Sequence, residues 1–244
     1  MWLAAVWAWV MLWAWIVRGF EGVDEMMFGR VLLENFWLKR ASTSEWRNSS
    51  GVVLCGSQCM GVEWCQLWCL LQGRECVLTS LVVSGSYQPL QSDNTRVCYT
   101  SRRPDFAVGS AIFSSPLYDD DRVKENLVDG IYNWHVMASS IVVPDNATAW
   151  FLVDLGVSRR VSEVLLMAQP NDMARYYFQD LEVRVGNVQE TGNFTSYALL
   201  GTFGGPGEAS EVVVMRPPAP LKGRYVSIQR MTESRLQISH LEIR

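Results

Sequence analysis

The sequence predicts a mainly β protein built from two parts of different construction. All six cysteines lie between Cys55 and Cys98, and none occurs in the rest of the chain. From residue 106 onward, short apolar or alternating runs are separated by Gly, Pro, Asn and Asp, a pattern typical of a β-sandwich. We therefore expect a small disulfide-rich α+β domain at 23–103, followed by a β-sandwich at 104–244.

An apolar segment begins the chain. Residues 1–17 contain no charged side chain, and Arg18 follows them. A run of this length and position favours a secretory signal peptide, removed near residue 22, over an uncleaved amphitropic anchor. The mature protein is then expected to be secreted. Three sequons that predict glycosylated surface loops are compatible with secretion: Asn48, Asn146 and Asn193.

The net charge and the absence of catalytic motifs argue against two classes of function. The net charge is -4 and no polybasic run is present, so the electrostatic signature of a nucleic-acid-binding protein is missing. The chain has two histidines, no Gly-rich phosphate loop and no H-E-x-x-H motif, so nucleophilic and metal-dependent hydrolysis lack their parts. Asp119 to Asp121 lie in a polar loop without the apolar surroundings that would raise a carboxyl pKa. We expect no enzymatic activity.

The cysteine spacing favours disulfides over a zinc site. Zinc sites commonly use C-x2-C pairs, whereas the first five cysteines here are separated by three, five, three and six residues, with no histidine nearby. Cys55 and Cys59 are four residues apart, which puts both thiols on one face of a short helix. Cys76 opens a β-rich run. Disulfides in an oxidising compartment follow from this reading.

The run CGSQCMGVEWC, from Cys55 to Cys65, together with the strand that starts at Cys76, resembles a PAN/apple domain over about residues 24–103. The resemblance implies that Cys55 pairs with Cys76 and that Cys59 pairs with Cys65. Cys98 stands for the closing cysteine of the family, and Cys69 takes the place of its usual N-terminal partner. The implied third bridge is therefore Cys69 with Cys98.

The second part begins after Arg102-Arg103-Pro104-Asp105, which predicts an extended, exposed linker. Asp129-Gly130 favours a tight turn, and a long polar loop follows it. The expected strands, read from their apolar or alternating patterns, are Trp150 to Leu155, Val164 to Ala168, Leu181 to Gly186, Tyr197 to Phe203, Glu211 to Met215, Arg224 to Arg230 and Leu236 to Ile243.

Five motifs in this part carry a family resemblance: SAIFSS from Ser110, NLVDG from Asn126, WFLVDLG from Trp150, GRYVSI from Gly223 and LQISHLEI from Leu236. In this order they resemble a discoidin, or coagulation factor V/VIII type C, domain, and specifically its fucolectin (F-type lectin) branch, over about residues 107–244. The resemblance implies an eight-stranded, galactose-binding-like jelly-roll sandwich. Such domains bind sugars, lipid head groups or proteins through loops at one end.

The resemblance also implies a sugar site. Fucose-binding members use an upstream His, an Arg-x-Asp motif and a second Arg. Gln169 stands at the first Arg, Asn171 at the Asp with Asp172 beside it, and Arg175 at the second Arg. His135 is the only histidine in the upstream region, although it lies earlier than the family's histidine. These five residues are the ligand candidates.

A structural Ca²⁺ is the cofactor that the resemblance implies. Ca²⁺ prefers six to eight oxygen ligands. The positions that match the family's cation cage are Asn126, Asp129, Ile131 by its carbonyl, Ser140, and Ser239 by its carbonyl. His240 stands where the family supplies a Glu, and Glu242 lies on the same strand face. A plain turn role for Asp129 is the alternative.

Three functions remain open at this point. The first is a secreted lectin-like protein that binds glycans or glycoproteins, where a homo-oligomer would strengthen weak single sites. The second is an extracellular adhesion or scaffold protein that binds other proteins. The third, ranked last, is a membrane-lipid-binding module. The apolar run from Ile141 to Pro144 would supply an insertion spike, but no basic cluster supports it and a glycan at Asn146 would obstruct it.

Overall fold

A computed structural model describes residues 28–41, 43–48, 51–71, 75–90, 94–132, 139–144 and 148–244. The predicted signal segment, residues 1–22, lies outside the described residues, as do His135 and Asn146. Within the described part of the chain, no helix is long and apolar enough to cross a membrane.

The N-terminal half forms one antiparallel sheet with two short helices. The sheet order is β1-β6-β3-β4-β2, and a two-residue strand, β5, lies outside it. The helices are α1 (Asn35–Arg40) and α2 (Val52–Met60). The strands are β1 (Gly29–Glu34), β2 (Ser44–Asn48), β3 (Leu67–Leu70), β4 (Glu75–Thr79), β5 (Val82–Val83) and β6 (Thr95–Thr100).

Disulfides bind this half together. Helix α2 turns Cys55 and Cys59 inward, where both are buried. The bridges are Cys55–Cys76, Cys59–Cys65 and Cys69–Cys98, which are the pairs implied by the PAN/apple resemblance, and no cysteine is left free. They support that resemblance only in part, because spacing and pairing do not by themselves define a fold.

The C-terminal half is a β-sandwich, as the sequence predicts. A five-stranded sheet, β13-β12-β15-β10-β7, is accompanied by the three-stranded sheet β14-β11-β17 and the pairs β16-β9 and β5-β8. A 3₁₀ turn spans Lys124–Val128, and a one-turn helix, α3, spans Ala174–Tyr177. The strands are β7 (Ala111–Ser114), β8 (Ile131–Tyr132), β9 (Ser140–Val142), β10 (Ala149–Val161), β11 (Val164–Met167), β12 (Leu181–Gly186), β13 (Ala198–Phe203), β14 (Val212–Met215), β15 (Leu221–Arg230), β16 (Leu236–Ile238) and β17 (His240–Ile243).

Alternation along the strands produces the sandwich core. In β12, Leu181, Val183 and Val185 are buried, whereas the two charged residues between them are half-exposed. They join one apolar cluster with Phe151 of β10 and Leu166 of β11, and therefore with residues from the other sheet. Burial of these two faces is the main force that holds the sheets together.

Two predicted strands differ in extent from the observed ones. The strand predicted at Trp150 to Leu155 runs on to Val161, with a register shift between Asp154 and Arg159. At this shift the Arg224 guanidinium donates to both carboxylate oxygens of Asp154, at 2.6 and 2.7 Å. The strand predicted at Leu236 to Ile243 is interrupted at Ser239, whose amide donates to the Met167 carbonyl at 2.8 Å. β16 therefore pairs with β9, and β17 pairs with β11.

The two halves contact each other along a short ladder. β5 pairs with β8 in the register Val82 to Tyr132 and Val83 to Ile131. The Ser84 amide donates to the Gly130 carbonyl at 2.8 Å, and Gly130 has a φ of +80°, as a tight turn requires. The predicted domain boundaries, 23–103 and 104–244, stay predictions, because a strand of the first half pairs with a strand of the second.

The predicted linker is only partly exposed. Arg103 and Pro104 are exposed, but Asp105 is 4% exposed. Its Oδ1 accepts the amides of Ala107 and Ile243, both at 2.8 Å. The prediction of an exposed linker was therefore wrong for Asp105. Its carboxylate accepts backbone amides inside the fold, and one of these amides belongs to the last strand.

The predicted insertion spike is also absent. Ile141 is 2% exposed and Val142 is buried completely, because β9 pairs with β16. Buried side chains have no access to a bilayer, so the sequence feature that favoured lipid insertion is lost.

Phe151 tests the sandwich core. It is fully buried, whereas Phe113 on the neighbouring strand β7 is 38% exposed. We expect Phe151→Ala to lower the free energy of unfolding by about 3–5 kcal/mol, because it removes a large buried side chain and leaves a cavity. Phe113→Ala is the matched control and should cost about 1 kcal/mol or less. Equilibrium urea denaturation measures both, and similar losses would contradict this assignment of the core.

Candidate functional site

Three loops of the sandwich meet on one surface, which we call the three-loop platform: residues 115–123, 168–180 and 231–235. The Tyr118 amide donates to the Ile141 carbonyl at 3.0 Å, which fixes the first loop to β9. The Met231 amide donates to the Asp180 carbonyl at 2.8 Å, which joins the other two loops. Exposed loops on a rigid sandwich are where binding sites are commonly found.

Arg230 is the internal support of this platform. It is 3% exposed, and its Nη1 donates to the carbonyls of Tyr176 and Arg235 at 2.6 and 2.7 Å. Burial lowers the pKa of Arg230, and the Asp180 carboxylate opposes that effect. The guanidinium stays charged because an arginine pKa lies far above neutrality. One buried cation therefore sets the spacing of two loops.

The surface of the platform carries aromatic rings and guanidinium groups. The Arg235 Cζ lies 4.0 Å from the ring centroid of Tyr118 and 6.0 Å from that of Tyr177. Tyr118 and Tyr176 are 46% and 54% exposed. Among the described residues, Arg235 forms no ion pair with a carboxylate within 4.0 Å. Cation–π contact orients such a guanidinium.

The predicted sugar residues are only partly placed on this surface. Asp172 and Arg175 form an ion pair at 3.7 Å, with side chains 90% and 56% exposed. Asn171 Oδ1 accepts the Met173 amide at 2.9 Å and so shapes the loop. Gln169 is 1% exposed directly after the buried strand β11, and its Nε2 is among the buried polar atoms without a hydrogen-bond partner, so its ligand role stays a prediction.

Sequence reasoning missed three residues of the platform. Tyr118 lies beside an acidic run, Arg230 ends a strand, and Arg235 stands in a short polar loop. Each is unremarkable in its own segment, and only the fold brings them together. Tyr177 stands two residues after Arg175, but nothing in its spacing pointed to Arg235.

The predicted cation cage lies beside the platform. Asn126 and Asp129 belong to the 3₁₀ turn and its end, while Ser140 is buried on β9, and its hydroxyl donates to the Arg122 carbonyl at 3.3 Å. The amide of Ile131 donates to Asp129 Oδ1 at 2.8 Å. Burial raises the pKa of Asp129 to about 7, although backbone N–H bonds act in the opposite direction. A cation beside this carboxylate would reverse the shift, so the donor set fits a hard cation.

Ser239, the remaining cage residue, is fully buried between β16 and β17, and its Oγ has no hydrogen-bond partner. A buried polar atom without a partner is compatible with a nearby ligand. His240, next in the chain, directs its ring against Tyr132, with the ring centroids 4.0 Å apart.

The family model of the F5/8 type C domain matches residues 110–242, which is more than half of the chain. The chain belongs to the F5/8 type C family. Among curated proteins, none matches it in sequence.

Several solved structures are similar to this F5/8 type C protein. A fucolectin from striped bass (Morone saxatilis) serum is 19% identical, with a TM-score of 0.50 over 70% of this chain and 57% of that chain. A fucose-binding module from Streptococcus pneumoniae is 14% identical, with a TM-score of 0.46 over 57% of this chain and 96% of that one. A chitosan-binding module from Paenibacillus sp. IK-5 is 16% identical, with a TM-score of 0.43 over 57% and 98%.

Arg230→Met tests the platform support. The change keeps an unbranched apolar side chain but removes the donors to two buried carbonyls. We expect the free energy of unfolding to fall by about 1.5–3 kcal/mol, as for hydrogen bonds made by a charged group, and protease cleavage in residues 231–235 to accelerate. Arg175→Met, at an exposed ion pair, is the control and should change stability by about 0.5 kcal/mol or less. Equal effects of the two variants would remove the structural role assigned to Arg230.

Proposed function

We propose that this F5/8 type C protein is a secreted, non-catalytic glycan-binding protein that holds sugar on the three-loop platform. The observation that carries the proposal is the Arg235 guanidinium between the rings of Tyr118 and Tyr177. A neutral sugar needs planar N–H donors for its hydroxyls and an aromatic surface for its apolar ring face. Both are present there, on loops whose spacing is fixed from within by Arg230.

Several observations support glycan binding and an extracellular location. The fold neighbours include proteins that are described as a fucolectin, a fucose-binding module and a chitosan-binding module. All six cysteines are paired, as is usual in an oxidising, extracellular compartment. Asn48 and Asn193 are exposed, so both sequons are accessible to glycosylation. Single sugar sites are commonly weak, so we expect a homo-oligomer to strengthen the binding.

Exposed apolar residues in the N-terminal half favour a second role. Val53 and Met60 on helix α2 are 83% and 57% exposed, and Trp46 on β2 is 64% exposed. Large exposed aromatic and aliphatic groups are frequent at protein interfaces. An extracellular adhesion or scaffold function through other proteins is therefore the second candidate, and both functions are compatible in one chain.

Arg235→Ala and Tyr118→Ala test the platform directly. Loss of a charged hydrogen-bond donor costs about 1.5–3 kcal/mol, so affinity for the best glycan on an array should fall about 10- to 100-fold. Arg160→Ala, at an exposed arginine of β10, is the charge-matched control and should leave affinity unchanged. Calorimetry with the selected glycan measures all three variants. Unchanged affinity of Arg235→Ala, with loss in an Asp172→Ala/Arg175→Ala double variant, would move the site to the loop at 169–175.

We further propose that Ca²⁺ binds among Asn126, Asp129, Ser140 and the carbonyls of Ile131 and Ser239. Removal of Ca²⁺ with EGTA should lower the melting temperature, and excess Ca²⁺ should restore it. At about 100-fold excess over the Kd, the gain is about 2.7 kcal/mol. Asp129→Asn should abolish the response, whereas Asp120→Asn, at an exposed carboxylate, should retain it. A calcium response that survives Asp129→Asn would place the ion elsewhere.

A further inference from the structure

A buried cluster of metal-ligating side chains lies where the linker meets the last strand. Asp105 follows the linker, and His240 and Glu242 lie on β17 with both side chains on the same face. Their exposed fractions are 4%, 0% and 0%. One ligand atom from each lies within 4.8 Å of the other two. The proposed glycan site does not use any of these residues.

Several polar atoms of this cluster have no hydrogen-bond partner. Asp105 Oδ2 and both ring nitrogens of His240 are buried and unpaired. Burial of one such group typically costs about 1–3 kcal/mol, so natural proteins seldom leave several unpaired at one point. An imidazole and a carboxylate oxygen that are buried, unpaired and close to each other indicate a missing common partner.

The other oxygens of the cluster are already held in place. Asp105 Oδ1 accepts two backbone amides at 2.8 Å, which leaves Oδ2 directed into the cluster. Glu242 accepts hydrogen bonds from the Tyr132 hydroxyl at Oε1 and from Arg244 at Oε2. Second-shell bonds of this kind orient carboxylates that ligate a metal.

We propose that Asp105, His240 and Glu242 bind one divalent transition-metal ion, with zinc as the expected species. One imidazole nitrogen with two carboxylate oxygens is a zinc-like donor set, whereas Ca²⁺ and Mg²⁺ favour oxygen ligands throughout. Zinc holds these donors at about 2.0–2.2 Å in a tetrahedral arrangement, which puts ligand atoms about 3.4 Å apart. Atoms separated by 4.8 Å must therefore approach each other by about 1.4 Å when the ion binds. The ion would join the linker to the final strand and so fix the start of the sandwich to its end.

Two cations face the site. Arg244 is matched by Glu163, with Nη1 and Oε1 2.7 Å apart, as well as by Glu242. Arg102 Cζ lies 5.3 Å from the ring centroid of Tyr132, and its buried Nε has no partner. Arg102 therefore opposes a bound cation, and its removal should strengthen metal binding.

The experiment uses the full disulfide-bonded chain, stripped with chelator and then titrated with Zn²⁺. We expect one zinc per chain by mass spectrometry and, in saturating Ca²⁺, a further rise in melting temperature when Zn²⁺ is added. At about 100-fold excess over the Kd, the ratio of folded to unfolded protein should rise about 100-fold. Absence of bound zinc and of a zinc-dependent thermal shift would overturn the proposal.

Variants locate the ion. His240→Phe keeps a ring of similar shape without nitrogens, so it should fold at least as stably in the absence of metal and lose the zinc response. Arg102→Gln should retain zinc and bind it about 10-fold more tightly, since one like charge near the ion is removed. This second variant preserves the ligands and gives a readout even if His240→Phe does not fold. Zinc retained by His240→Phe, lost in His135→Gln, or bound no more tightly by Arg102→Gln would contradict the assignment.

Discussion

The buried carboxylate of Asp105 is the contact that ties the start of the sandwich to its last strand. Through one oxygen it accepts the amides of Ala107 and Ile243. These two residues lie near opposite ends of the sandwich sequence. The Phe106 amide donates to the Ile243 carbonyl at 2.8 Å and continues that connection. β17 in turn pairs with β11, and β11 pairs with β14, so the position of the linker determines one sheet of the sandwich.

The three-loop platform also depends on one buried polar side chain that binds backbone groups of separate segments. Arg230 ends β15 inside the fold and holds two loops that would otherwise lie independently on the surface. Because its guanidinium is buried and donates to two loop carbonyls and to the Thr232 hydroxyl, it contributes order and not ligand contact. The exposed Tyr118 and the partly exposed Arg235 are then presented at a fixed distance, which reduces the entropy that a sugar must remove on binding.

The sequence predicted those features of the fold that depend on residues close together in the chain. β12 matches its predicted bounds, Leu181–Gly186, because strict alternation leaves one register with a buried face. The disulfide pairs were implied by the PAN/apple resemblance, which rests on the spacing of the cysteines. Burial of Asp105 could not be read from Arg-Arg-Pro-Asp, since its partner Ile243 is 138 residues away. The burial of Gln169 and Ile141 and the contact of Arg235 with Tyr118 could not be read from the sequence for the same reason. Each depends on which distant segment lies opposite.

The two candidate cation sites differ because their ligand types differ. In the cage around Asp129, one carboxylate is accompanied by neutral oxygens, and Ca²⁺ affinity falls as the number of charged ligands falls. The family resemblance places a Glu where this chain has His240, so the cage has lost an anionic ligand. The imidazole instead lies with Asp105 and Glu242, within 4.8 Å. A single exchange of Glu for His on the last strand thus lowers the charge of an oxygen cage and adds nitrogen to a neighbouring carboxylate pair. Both changes favour a borderline-soft ion such as zinc over calcium at this end of the sandwich.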